Sequence, residues 1–177
     1  MQSEEKQKIF LSLYEPEAEK LERFCLNLTR NRDDAKELIA ETVCAGYNGF
    51  KKIRDKKAFL SFLFTIAHRL FFKNKEKFRR NIYQDPSGFG EILSDGLPPD
   101  KQYDVKVLYE ALDNLDEKIR EALVLAEIFG FPHKDIAKIQ STSVPNIKVR
   151  IHRGKNNLKK ILSRDINIIK NEVSQNA

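Results

Sequence analysis

The sequence predicts an all-α protein of two small helical domains joined by a flexible linker. Three observations carry that expectation. Apolar residues recur at three- and four-residue spacing through both halves of the chain, and no stretch sustains the two-residue alternation of a strand. Residues 81–104 lack that periodicity and hold Pro86, Pro98, Pro99, Gly88, Gly90 and Gly96, half of the 6 Pro and three of the 7 Gly. Finally, 177 residues with 33% charged and 41% hydrophobic content suit small units with much exposed surface better than one large core.

The elements follow in order. Glu4 to Leu13 is a short helical candidate. Glu17 to Thr29 places Ala18, Leu21, Phe24, Cys25 and Leu28 at helical spacing, with Pro16 near its start. In "NRDDAKELIAETVCAGYNGF", Asn31 is the expected cap, and Asp33 and Asp34 stand where a helix N-terminus favours negative charge. There Ala35, Leu38, Ile39, Thr42, Val43 and Tyr47 share one face, and Asp34, Glu37 and Glu41 the other. A basic loop, "YNGFKKIRDKK", leads into the apolar "AFLSFLFTIAHRLFFKNKEKFRR". After the linker, helical register resumes at Val105 and continues through Leu108, Leu112 and Leu115. Asp116 and Glu117 open the next helix and Gly130 stops it. "PHKDIAKIQ" is a short helix with Pro132 in its first turn. "STS" is a turn, and a long helix then runs from about Val144 to about Asn171. The expected organisation is a helical domain over 1–82, a linker over 83–104, a second domain over 105–171 and a tail over 172–177.

Composition narrows the chemistry. The net charge of +6 points toward an anionic partner. Cys25 and Cys44 lie in apolar helical patterns and are expected to be buried free thiols. No CxxC occurs, and His68, His133 and His152 are scattered, so no metal site, cofactor or catalytic residue is expected. The first residues lack the apolar core of a signal peptide, and no apolar run is long enough to insert in a membrane. A cytoplasmic, reduced setting is the expectation.

The short helix, turn and long helix of the second domain make a helix-turn-helix. Ile136, Ala137 and Ile139 supply the inner face of its first helix, and Val144, Ile147 and Ile151 that of its second. From Lys138 to Arg164 the chain contains no Asp or Glu. Duplex DNA carries a phosphate charge about every 1.7 Å of axis, so an acid on a groove-facing helix would be repelled there. Side chains near such a helix's start reach base edges, and those further along hold phosphate. Asn146, Lys148 and Arg150 are therefore candidates for bases, and Arg153, Lys155 and Lys159 for phosphate. Ser143 is the preferred cap, with Val144 as the alternative. In the first domain, cations interleave with Phe59, Phe62, Phe64, Phe71, Phe72 and Phe78, the residue types on which unstacked bases lie. Positions such as Phe59, Leu63, Ile66 and Leu70 are more often core than base platforms. The loop from Lys51 to Lys57 is the better DNA candidate.

Taken together, "NLTRNRDDAKELIAETVCAGYNGFKKI" with "AFLSFLFTIAHRL", and then "ALDNLDEKIREALVLAEIFGFPHKDIAKIQSTSVPNIKVRIHRGKNNLKK", resemble the two conserved blocks of a bacterial sigma factor. The match is to the extracytoplasmic-function type of the sigma-70 superfamily and spans nearly the whole chain. The resemblance implies a promoter-recognition subunit that is not itself an enzyme. Its implied partners are core RNA polymerase (beta-prime clamp helices and beta flap), promoter DNA and an anti-sigma factor. It implies polymerase docking by the segment that holds Asp34, Glu37, Ile39, Glu41 and Thr42. It implies minus-ten contacts by Lys52, Arg54, Lys56 and Lys57 in the loop and by Phe62, Thr65, His68 and Arg69 on the following helix. It implies minus-thirty-five contacts by Ser143, Asn146, Lys148, Arg150, Arg153 and Lys155. The chain departs from the family's usual residues at Ala40 (Gln), Phe62 (Trp), Arg69 (Asn), Pro132 (Ser) and the Ser141–Thr142 turn (Gly, then apolar). The competing expectation is a stand-alone dimeric helix-turn-helix regulator, which would need neither the basic loop nor the aromatic segment.

Overall fold

The computed structural model describes residues 3–50, 55–82 and 97–175, and for residues 3, 56, 79–82 and 164–175 the backbone alone. Among these residues every regular element is a helix. The chain divides into two compact units, residues 1–86 with 138–141 and residues 87–137 with 142–177.

The first unit begins with α1 (Ser3–Tyr14), a 3₁₀ turn over Glu15–Glu17 and α2 (Ala18–Thr29). Arg30 closes α2 in a left-handed conformation, φ 56°, its N–H reaching the Leu26 carbonyl at 2.8 Å. Asn31 then caps α3 (Arg32–Gly49) as expected, its side chain accepting from the N–H groups of Asp33 and Asp34 at 2.9 and 3.0 Å. Asp55 caps α4 (Lys56–Lys73) by accepting from Lys57 N–H at 3.1 Å. Asn74 interrupts the apolar run, and α5 (Lys75–Ile82) follows. Leu21, Phe24, Cys25 and Leu28 of α2 are buried with Leu38, Phe59, Leu63, Phe64, Phe71 and Phe78. The Phe24 and Phe64 rings stack at 4.1 Å and 4°, and Phe10 meets Phe59 edge-on at 5.4 Å. Each such ring contributes roughly 1.5–3 kcal/mol by leaving water, so the aromatic segment is in the main a core. Phe62, Phe72, Ile66 and Leu70 are only half-buried. Cys25 is buried, and burial pushes its thiol up, so it stays protonated. Cys44 is exposed, contrary to expectation, because it lies two residues from both Thr42 and Gly46 on the inner row of α3.

The second unit holds α6 (Pro99–Asp113), α7 (Glu117–Glu127), α8 (His133–Ile139) apart from its last two residues, and α9 (Val144–Gln175). The helix expected from Val105 starts six residues earlier. Pro98 stands extended before it, Pro99 occupies the first helical position where no N–H is needed, and Asp100 lies in the first turn. The same residues that signal a turn thus serve here as a helix start. Asp116 caps α7, accepting from the N–H groups of Lys118 and Ile119 at 3.1 and 3.4 Å. Past its end Gly130 takes φ +67°. Pro132 lies just outside α8 and not within its first turn: its carbonyl accepts from Ile136 N–H at 3.2 Å. The backbone of α9 continues past Asn171, to Gln175.

The turn between α8 and α9 puts Ser141 at φ 49°. This left-handed conformation crowds a Cβ and suits glycine. Ser141→Gly is expected to stabilise the protein by about 0.5–1 kcal/mol, with relief of that strain exceeding the added freedom of the unfolded chain. Thermal unfolding followed by circular dichroism checks this; a lower melting temperature would refute it.

Candidate nucleic-acid and protein interfaces

The long helix α9 has two distinct sides. Ile147 and Ile151 are buried, and Gly154 is pressed toward α7, where a Cβ would meet Ile119 Cγ2 at 3.1 Å. Val144 is half-buried at the start of the same stripe. Ser143 Oγ accepts from Asn146 N–H at 3.4 Å, which makes Ser143 the cap. Asn146, Lys148, Val149, His152 and Arg153 are exposed, and Arg150 is half-buried. The amide of Asn146 donates to Thr142 Oγ1 at 3.2 Å, so the turn holds that side chain. Among the described residues Lys148 and Arg153 make no ion pair. Cations on a capped helix start, without a neighbouring acid, can take phosphate oxygens and base edges.

Lys155 differs from this set. Its ammonium pairs with Glu127 Oε1 at 2.8 Å, on the flank of α9 that faces α7. At about 100° per residue, Lys155 falls beside Ile151 and Leu158 and away from Val149 and Arg153. It is therefore a groove-side residue, and it reaches phosphate only by giving up Glu127. The pair borders an apolar groove of about 270 Å³ lined by Leu108, Leu112, Leu123, Val124, Ile128 and Leu158, with Ile128 45% exposed. Sequence periodicity puts Leu108 and Leu112 in one helical row but carries no sign that a cleft remains beside them.

In the first unit the expected docking residues of α3 separate. Glu37 is exposed, Ile39 and Glu41 are half-buried, and Asp34 and Thr42 are buried. Asp34 is 5% exposed and so is not part of a solvent-facing acidic row. Its spacing of four from Leu38, and of eight from Thr42, sets it on the inner side of α3. Glu37 receives the Lys77 ammonium of α5 at 2.5 Å. That hydrogen bond, helped by the nearby charges of Glu37, Glu41 and Asp34, raises the Lys77 pKa. Nothing local signals this contact, because the two residues lie 40 positions apart.

The expected minus-ten residues are also sorted. Phe62, Thr65 and Arg69 lie at helical spacing on one side of α4, Arg69 exposed and the other two half-buried. Thr65 Oγ1 donates to the Ser61 carbonyl at 2.7 Å. His68 does not join them: it is 9% exposed, with its ring 4.5 Å from that of Phe72. A residue one position before Arg69 turns about 100° away, which takes His68 inward. Lys57 is exposed in the first turn of α4. Lys52 and Arg54 lie outside the described residues, as does the side chain of Lys56. Among the described residues no cluster of His, Cys, Asp and Glu is arranged to hold a metal ion, and no helix is long and apolar enough to cross a membrane.

Comparison with known proteins agrees with this geometry. Residues 13–81 match the family "Sigma-70 region 2", and residues 106–158 match "Sigma-70, region 4". The chain is 28% identical over 145 residues to the ECF RNA polymerase sigma factor EcfG of Rhodopseudomonas palustris, covering 82% of this chain and 80% of that protein. It is 25% identical over 147 residues to the ECF RNA polymerase sigma factor SigM of Bacillus subtilis, covering 82% of this chain and 90% of that one. Its fold is similar to that of the sigma factor RpoE from Bartonella quintana, solved in complex with the anti-sigma factor NepR. There the TM-score is 0.63 and the identity 26%, over 92% of this chain and 98% of that one. With both regions present in this order, the chain belongs to the extracytoplasmic-function sigma factors of the sigma-70 superfamily, alternative sigma factors that act with core RNA polymerase in promoter recognition.

Proposed function

We propose that the first unit docks on the beta-prime clamp helices through Glu37, Ile39 and Glu41 and holds the minus-ten element with Lys57, Phe62, Thr65 and Arg69. In the same reading Lys52, Arg54 and Lys56 complete the basic set that receives an unpaired base. The second unit places Asn146, Lys148, Arg150 and Arg153 of α9 in the minus-thirty-five major groove. The apolar groove beside Lys155 and Glu127 lies on the other side of α9 and suits the beta flap. An anti-sigma factor is the proposed regulator, by likeness to the NepR complex of the Bartonella protein. The protein is itself no catalyst and works in the cytoplasm, where polymerase is. It favours strand opening by holding unstacked bases, each worth roughly 1–3 kcal/mol when stacked.

The observation that carries this reading is the exposed, acid-free face of α9 on a capped helix, in one chain with a region-2 unit. The stand-alone dimeric regulator accounts for the first part and leaves the second without a use. Run-off transcription with core polymerase tests the choice. Initiation that depends on the added protein supports the sigma reading. Tight operator binding by the protein alone, unchanged by polymerase, would reject it.

The docking surface has its own test. Glu37→Gln is expected to weaken binding to core polymerase roughly three- to tenfold, as the loss of a charged rim contact does. Lys77→Gln releases Glu37 and is expected to tighten binding by about two- to fivefold, the scale of an exposed ion pair. Fluorescence titration of labelled protein with core enzyme measures both.

A further inference from the structure

Val149 is 47% exposed on the outer side of α9. It follows Asn146 by three residues and precedes Arg153 by four, so the three form one row along the helix. Apart from Pro145 one turn earlier, its neighbours on that side are polar: Asn146, Lys148, Arg150, His152 and Arg153. A β-branched residue there does nothing for folding. It is a poorer helix former than alanine and leaves apolar surface in water. The polar groups beside it are already oriented. Thr142 holds the Asn146 amide at 3.2 Å, and Asn156 meets His152 Nε2 at 3.0 Å. Val149 is thus an apolar tip between anchored polar side chains.

The major-groove edges of the four base pairs offer one apolar group, the C5 methyl of thymine. Apart from the small C5–H of cytosine, the other features there are donors and acceptors, which a valine cannot satisfy and would desolvate. With α9 read as the helix that enters the groove, on which this inference rests, we propose that Val149 contacts a thymine methyl. Val149 then determines specificity, selecting thymine over cytosine at one position of the minus-thirty-five element. Asn146 keeps one amide hydrogen and its carbonyl oxygen after bonding Thr142, the pair that an adjacent adenine requires. This fits a reading row in which polar and apolar contacts alternate.

Uracil substitution isolates the methyl, since uracil differs from thymine by that group alone. Holoenzyme assembled from core polymerase and the full chain is footprinted on a promoter. Each thymine in the protected minus-thirty-five segment is then replaced singly by uracil. For the native chain, one replacement is expected to lower affinity about three- to fivefold, the scale of one buried methyl group. For Val149→Ala, that replacement is expected to have no effect. Val149 is exposed, so the variant should fold, and its circular dichroism should match. Restoring the methyl by placing 5-methylcytosine where cytosine has replaced the thymine should recover part of the binding for the native chain only. Two outcomes overturn the assignment alone: a footprint with no uracil-sensitive position, or a uracil penalty that survives in Val149→Ala. Absence of any minus-thirty-five footprint overturns the recognition-helix reading and this inference with it.

Discussion

Replacing Lys148 and Arg153 together by alanine is expected to lower promoter affinity on the order of 60-fold at roughly 0.1 M salt. The 60-fold figure comes from counterion release, to which a cation contributes by lying in the phosphate field, so Lys148 counts with Arg153 although its place near the helix start suits it to base edges. Each phosphate contact contributes about 0.9 to the slope of log affinity against log salt. At that salt two contacts amount to about 1.8 decades. The slope itself should fall by about two units, and titration across salt concentrations measures it. Both side chains are exposed and, among the described residues, without an ion-pair partner, so their charge is available to DNA. Lys155→Ala is expected to do much less, because Lys155 is paired with Glu127 at 2.8 Å. Binding to core polymerase should survive the double change, since both α3 and the groove beside Glu127 are untouched. An unchanged slope in the double variant would remove the basis for placing α9 on phosphate.

Gly46→Leu is expected to cost the first unit roughly 3 kcal/mol or more and to lower the melting temperature on the order of 15 °C. Gly46 lies where α3 crosses α4. A Cβ added there would stand 2.8 Å from Leu63 Cδ2, closer than carbon atoms approach, and 3.7 Å from the Phe10 ring. Leu63 is fully buried, so it has no room to retreat. Gly46→Ala sets two effects against each other. Alanine favours the helix by about 1 kcal/mol, and overpacking costs about 1–3 kcal/mol. A net loss is expected, smaller than for leucine. The chain has no Trp, so circular dichroism is the suitable readout. A leucine variant as stable as the native chain would mean that the crossing is looser than the structure places it.

Much of the architecture is written locally. The Asn31 cap followed by two acids and the Asp116 cap are each settled within a few residues of chain. The apolar rows of α2 and α9 are settled the same way, because helix spacing alone decides which side chains share a face. The acid-free run of α9 is equally a property of the sequence, since its meaning lies in a repeated charge and not in a contact. Turn residues are ambiguous in the sequence. Pro98 and Pro99 suit both a linker and a helix start, and only the helix that follows decides between them. Ser141 carries no sequence sign of its left-handed φ of 49°.

The surfaces required the tertiary structure. Periodicity gives a side chain's angle around its own helix, but what meets that angle comes from another part of the chain. Asp34 looked like a third acid on an outer row, yet it is buried while Glu37 is exposed. His68 looked like one more cation beside Arg69, and it packs near Phe72 instead. Lys155 looked interchangeable with Arg153, and Glu127 engages it. By itself the sequence determined the helices, their division into two units and the charge of α9, because propensity, capping and charge act over a few residues. Only the tertiary structure decided which of those charges are free for a partner. An ion pair such as Lys77 with Glu37, made across 40 residues, depends on how helices pack and not on how each one forms.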